Sequence, residues 1–190
     1  MIPLSNFLVV HDLLWNDPKA PVSQLSRYTK FFPMCEAVRA LSKHDVVKVG
    51  AVALGPDQEV LAVGYNGLPR KVLELPERYH RPLRSFYFAH AEENLIAQAA
   101  RVGSKLMGST LLVSPLHPCA TCSRMIIQAG VTRVITPPLQ DMTSANPRWE
   151  GEIRHAVVML LEASVELIIY DSSNTSAPYY QILGTANEEP

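Results

Sequence analysis

The chain has 190 residues, 47% of them hydrophobic, which suffices for one domain with a full core and is too short for two compact ones. A net charge of -1 supplies no global field for a polyanion, so a small substrate fits better than a long nucleic acid. Three cysteines form no even set for disulfides and point to a reducing, cytoplasmic setting; the apolar start, residues 1–10, lacks a basic n-region, and no stretch approaches a membrane span.

Residues 1–28, punctuated by Pro3, Pro18 and Pro21, read as an irregular arm packed on the domain. From Tyr28 to Lys43, the apolar positions Phe31, Met34, Cys35, Val38 and Leu41 recur at helical spacing, with Pro33 acceptable only in a first turn. Residues 46–54 and 59–65 are apolar and β-branched around the turn cluster Gly55-Pro56-Asp57-Gln58, which predicts an antiparallel hairpin. An alanine-rich helix is expected over 89–102 and a strand over 109–114. A third helix follows over 119–129, with Gly130 just past its end, and then a strand over 131–136. A helix over 151–163 and a strand over 165–170 complete a domain spanning 29–170, with 171–190 left as a tail or a partner-wrapping segment. Strands joined through helices argue for parallel pairing in a sheet with helices on its faces.

Two short segments carry the chemistry. His90-Ala91-Glu92 and Pro118-Cys119-Ala120-Thr121-Cys122 supply one imidazole, two thiols and a spare carboxylate. A catalytic zinc is typically held by three protein ligands with its fourth position left to water, and His90, Cys119 and Cys122 fit that scheme. Cys-x-x-Cys alone is also found in redox proteins, structural zinc sites and plain turns. A closed structural site would need a fourth ligand, with His117 and Cys35 as the candidates. His117 lies only two residues before Cys119, and Cys35 falls on an apolar helical stripe that makes it a core residue. Residues two apart do not share a helix face, so His90 and Glu92 meet one metal only at a helix start. A helix N-terminus also helps keep thiols deprotonated. Glu92 is assigned as the proton shuttle from its place in the motif; its neighbour Glu93 is chemically equal to that work or to a plain first-turn role.

The paired H-x-E and P-C-x-x-C segments resemble the signature of zinc-dependent nucleobase deaminases. Gly64-Tyr65-Asn66-Gly67-Leu68-Pro69-Arg70 is similar to the G-Y-N-G-x-P segment of deoxycytidylate deaminases, and the likeness extends over roughly residues 32–133. The resemblance implies an α/β fold of three layers, α-β-α, with a mixed five-stranded sheet whose last two strands are parallel. It implies Zn2+ as cofactor and hydrolytic deamination of dCMP to dUMP in pyrimidine deoxynucleotide metabolism. It places Asn66 and Ala91 against the substrate and Tyr65, Gly67, Arg70 and Arg84 at a phosphate or an effector. It further implies a homo-oligomer, often hexameric, regulated by dCTP and dTTP. The segment 70–84 has a basic excess suited to a nucleotide phosphate, although such runs are more often solvated faces. No cysteine stands between Cys35 and Cys119, which argues against the second zinc site found in part of this family.

Other readings stay open at this level. A cytosine modified at C5, or adenosine in transfer RNA, would suit the same motifs, although an RNA enzyme should present a basic surface. A zinc-stabilised binding subunit without catalysis is the alternative from another class, and an intact Glu92 speaks against it.

Overall fold

Side chains alternate along each strand, and in this chain the alternation sorts two cores onto opposite faces of one sheet. The computed structural model describes residues 20–21, 26–137, 147–171 and 179–182. In chain order these form β1 (Ala20–Pro21), α1 (Ser26–Thr29), α2 (Phe32–Ala40), β2 (Gly50–Leu54) and β3 (Val60–Tyr65). There follow a 3-10 turn (Pro76–Tyr79), α3 (Arg84–Tyr87), α4 (Ala91–Val102), β4 (Thr110–Ser114) and α5 (Ala120–Gln128). The order closes with β5 (Arg133–Thr136), α6 (Pro147–Glu162), β6 (Glu166–Asp171) and β7 (Tyr179–Ile182).

Across the sheet the strands lie in the order β1-β7-β6-β5-β4-β2-β3. β4, β5 and β6 are parallel, and β2 is antiparallel to both β3 and β4. On one face Ala51, Ala53, Leu111, Val113, Val134, Leu167 and Ile169 pack with Leu95 of α4, Ile126 of α5 and Val157 of α6. On the other, Val52, Leu54, Leu112, Ile135 and Ile168 pack with Cys35 and Val38 of α2. The result is a three-layer α-β-α fold, with α2 on one side and α4, α5 and α6 on the other. Among the described residues no helix is long and apolar enough to cross a membrane.

Five of the strands are the expected ones, and two short additions extend them. β7 pairs antiparallel with β6, and β1 pairs antiparallel with β7. Residues of the expected arm and tail thus enter the sheet, while most of 1–28 and 171–190 lies outside the described residues. The pairing rule for helix-linked strands fails once: α4 carries the chain from β3 over β2, so β3 and β4 are separated by β2.

Boundaries moved for physical reasons. The long first helix is instead α1 and α2, because Pro33 lacks an N–H and is accommodated only where a helix restarts. The first hairpin strand begins at Gly50, not Val46, because side chains take the intervening backbone donors. His44 Nδ1 accepts from the N–H groups of Val46 and Val47, both at 3.0 Å, and Asn66 Oδ1 accepts from Val49 N–H at 2.9 Å. Gly130 follows α5 with φ 76°; its N–H reaches Ile127 O at 3.0 Å and that of Val131 reaches Ile126 O at 3.3 Å. That paired closure demands a left-handed residue.

Candidate metal centre and active site

Both motifs sit where a helix begins. His90 is the N-cap of α4 and Cys119 the N-cap of α5, each in extended backbone, with Cys122 in the first turn of α5. A cap residue is still outside the regular turn, so its side chain can be aimed at a partner that the helix faces. His90 Nδ1 lies 3.4 Å from Cys119 Sγ and 3.3 Å from Cys122 Sγ, and the two sulfurs are 3.7 Å apart. Tetrahedral zinc with thiolates at about 2.3 Å and an imidazole nitrogen at about 2.0–2.1 Å requires S···S edges near ~3.8 Å and N···S edges near ~3.6 Å. The three atoms stand close to one face of such a tetrahedron, with both N···S edges a little shorter than zinc would set them. Among the described residues this is the group of histidine, cysteine and acidic side chains close enough to hold a metal ion.

Close contact and burial set the protonation of the group. The hydrogen bond between the sulfurs pulls the Cys119 thiol down to about 4, and the same bond, with burial, pushes the Cys122 thiol up. His90, bonded to the Cys119 sulfur, is raised to about 9. One proton is thus shared where two thiolates would repel. A divalent ion among the three groups removes the conflict and fits the donor set.

Neither candidate for a fourth protein ligand joins the group. Cys35 lies in the other core and donates its thiol to Leu112 O at 3.7 Å. His117 is buried with Nδ1 2.9 Å from Pro118 O, a carbonyl that can only accept, so this nitrogen carries the proton. A zinc ion held by these three residues alone would keep its fourth position for water.

The two adjacent acids divide in space. Glu93 turns back and accepts the backbone N–H of His90 at 2.6 Å, the ordinary work of a carboxylate in a first helical turn. Glu92 is only 3% exposed. Burial raises its carboxyl to about 7, against the opposing pull of its own backbone N–H, of His90 and of the Cys122 thiol. A buried carboxyl poised near neutrality can both take and return a proton.

The remaining sequence candidates are placed as follows. Asn66 is buried, with Nδ2 donating to Val47 O at 2.9 Å and Oδ1 accepting from Val49 N–H, which leaves one donor and one lone pair of the amide. Ala91 is fully buried in the first turn of α4. Tyr65 is exposed, and its carbonyl accepts from Asn94 Nδ2 at 2.9 Å. Gly67 pairs with Ala89, the residue before His90. Arg84 is committed to Asp45 at 2.8 Å and to Tyr79 O at 3.3 Å, whereas Arg70 is exposed. Arg78 lies over the Tyr87 ring at 4.3 Å, so part of the basic excess in 70–84 serves the wall of this loop. Sequence reasoning missed His44 and Asn94. His44 acts as an Asn or Asp would in a turn, and a ring nitrogen two residues ahead of the captured N–H was the available signal.

The family described as "Cytidine and deoxycytidylate deaminase zinc-binding region" matches residues 25–137. An uncharacterized deaminase in the luxG 3' region of Aliivibrio fischeri is 34% identical over 145 residues, covering 75% of this chain and 93% of that protein. A probable deoxycytidylate deaminase of Drosophila melanogaster is 32% identical over 124 residues, covering 60% of this chain and 59% of that one. The chain thus spans little more than half the length of that named deoxycytidylate deaminase. The crystal structure of dCMP deaminase from the cyanophage S-TIM5 in complex with dCMP and dUMP superposes with a TM-score of 0.57 at 27% identity, covering 73% of this chain and 93% of that one.

Proposed function

Because the chain belongs to the cytidine and deoxycytidylate deaminase family, we propose that it catalyses the hydrolytic deamination of dCMP to dUMP with release of ammonia. The observation that carries the reading is the three-ligand group His90, Cys119 and Cys122 with the buried Glu92 beside it. Zinc, when bound, lowers the pKa of water to about 7 and so supplies a nucleophile at neutral pH. In the net reaction a C4–O bond forms, the C4–N bond breaks, and the water protons end on the ring and the departing amine. Glu92 takes one proton from the attacking water on its carboxylate and delivers it to N3, then carries the second water proton to the leaving nitrogen. Glu93 cannot share this work while its carboxylate caps His90. The half-occupied Asn66 amide offers its remaining donor to the sugar, and Arg70 is the phosphate contact that its exposure favours. A homo-oligomer responsive to dCTP and dTTP, working in deoxynucleotide metabolism, belongs to the same proposal.

The test is to mix the zinc-loaded protein with dCMP, CMP, deoxycytidine, C5-methyl dCMP and adenosine-containing RNA in parallel. Loss of the cytosine absorbance and release of ammonia are followed with and without dCTP or dTTP. Turnover of dCMP well above the others is expected. Preference for the methylated base or RNA would reassign the substrate, and no turnover with zinc bound would make the chain a binding subunit.

A further inference from the structure

We propose that the segment Gly64-Tyr65-Asn66-Gly67 is a cradle that fixes the metal ligand His90 and so acts on metal binding independently of any contact with substrate. The proposal rests on the reading of His90 as a metal ligand. Residues on both sides of His90 are tied to these four consecutive positions at the end of β3. Ala89, one residue before, exchanges both backbone hydrogen bonds with Gly67, at 3.1 and 2.9 Å. Ala91, one residue after, lays its carbonyl oxygen over Gly64: a Cβ built there would stand 2.2 Å from Ala91 O, 2.6 Å from Leu95 N and 2.8 Å from Leu95 Cβ. Asn94, one turn further along α4, donates Nδ2 to the carbonyl of Tyr65. Asn66 turns to the opposite side and braces Val47 and Val49.

Glycine is required at 64 by this close approach. The atoms a Cβ would meet are mainly helix backbone, which cannot swing aside as a long side chain does. An added Cβ must push the end of β3 and the start of α4 apart, and the start of α4 carries His90 and Glu92. Gly50 supplies a matched contrast on the opposite face of the sheet, where a Cβ would meet Cys35 O at 2.4 Å, Arg39 N at 2.8 Å and Arg39 Cβ at 2.9 Å. Its partner helix, α2, carries no residue of the site. Both Gly→Ala changes overpack a helix against a strand, and only the one at 64 should reach the metal.

Zinc affinity of the full chain, measured by competition with a chelator and paired with the visible spectrum of the cobalt(II) form, tests this. Gly64→Ala and Gly50→Ala should lower the melting temperature comparably. Gly64→Ala should weaken zinc binding by about 10–100-fold, the usual effect of disturbing a ligand's support, and should alter the cobalt spectrum, while Gly50→Ala keeps wild-type affinity. Equal losses in both variants, or none in Gly64→Ala, would overturn the cradle. If Gly64→Ala does not fold, Asn94→Ala decides: weakened zinc binding supports the proposal and wild-type affinity overturns it. His90→Ala isolates the underlying reading, since full zinc affinity in that variant would remove His90 as a ligand whatever the glycines do.

Discussion

Cys35 and Cys119 are both buried, on opposite faces of one sheet, yet their thiols have been driven in opposite directions. Cys35 sits in the middle of α2 among apolar side chains, and burial pushes it up to about 12. Cys119 stands at a helix N-terminus against Cys122 and His90, and is pulled down to about 4. Burial is common to both, so the partners decide the chemistry. The same division runs through the molecule: the face covered by α2 is a packed core, and the face covered by α4, α5 and α6 holds a second core together with the reactive group.

Replacing the two cysteines one at a time is the most severe way to break this comparison. Cys119→Ser should abolish stoichiometric zinc and deamination together, whereas Cys35→Ser should leave both intact, as measured by metal analysis and turnover. Next in size, Glu92→Gln should keep zinc and fold but lose turnover by about 10²–10⁴-fold, while Glu93→Gln, which still offers an amide oxygen to His90, should retain most of it. Near-normal activity in Glu92→Gln would transfer the proton work elsewhere. The thiols themselves sharpen the contrast: after chelation of zinc at neutral pH, mass spectrometry should find Cys119 alkylated before Cys35 in the folded chain. The smallest effect concerns stability in alkali. The folded chain keeps the Cys35 thiol protonated while the unfolded chain ionises from about pH 9, so the folded state binds more protons and stability falls as pH rises from 9 towards 12. Denaturant titrations at pH 8 and pH 10.5 should therefore differ less in Cys35→Ala than in the wild type.

The metal group was legible because its ligands lie in two short segments at helix starts, where spacing and capping are local matters. The apolar runs of β2 to β6 were legible for the same reason: period and turn residues are written in the neighbouring sequence. What escaped were effects made across distance. The delayed start of β2 depends on His44 and Asn66 capturing N–H groups, and Asn66 does so from 17 positions away. The extra strands β1 and β7 come from the two ends of the chain and join only through β6. Glu92 and Glu93 were chemically equal on the page, and only the fold turns one back to the His90 amide and buries the other. The motif Gly64–Gly67 could be recognised as a segment of a family, but its backbone ties to Ala89 and Ala91 need the helix in place.

X-ray absorption at the zinc edge of the loaded protein tests the central claim most directly. The account predicts two sulfurs at about 2.3 Å and two lighter atoms at about 2.0–2.1 Å, one from His90 and one exchangeable with solvent. A third sulfur, or a second histidine in place of the exchangeable atom, would describe a closed structural site and contradict it.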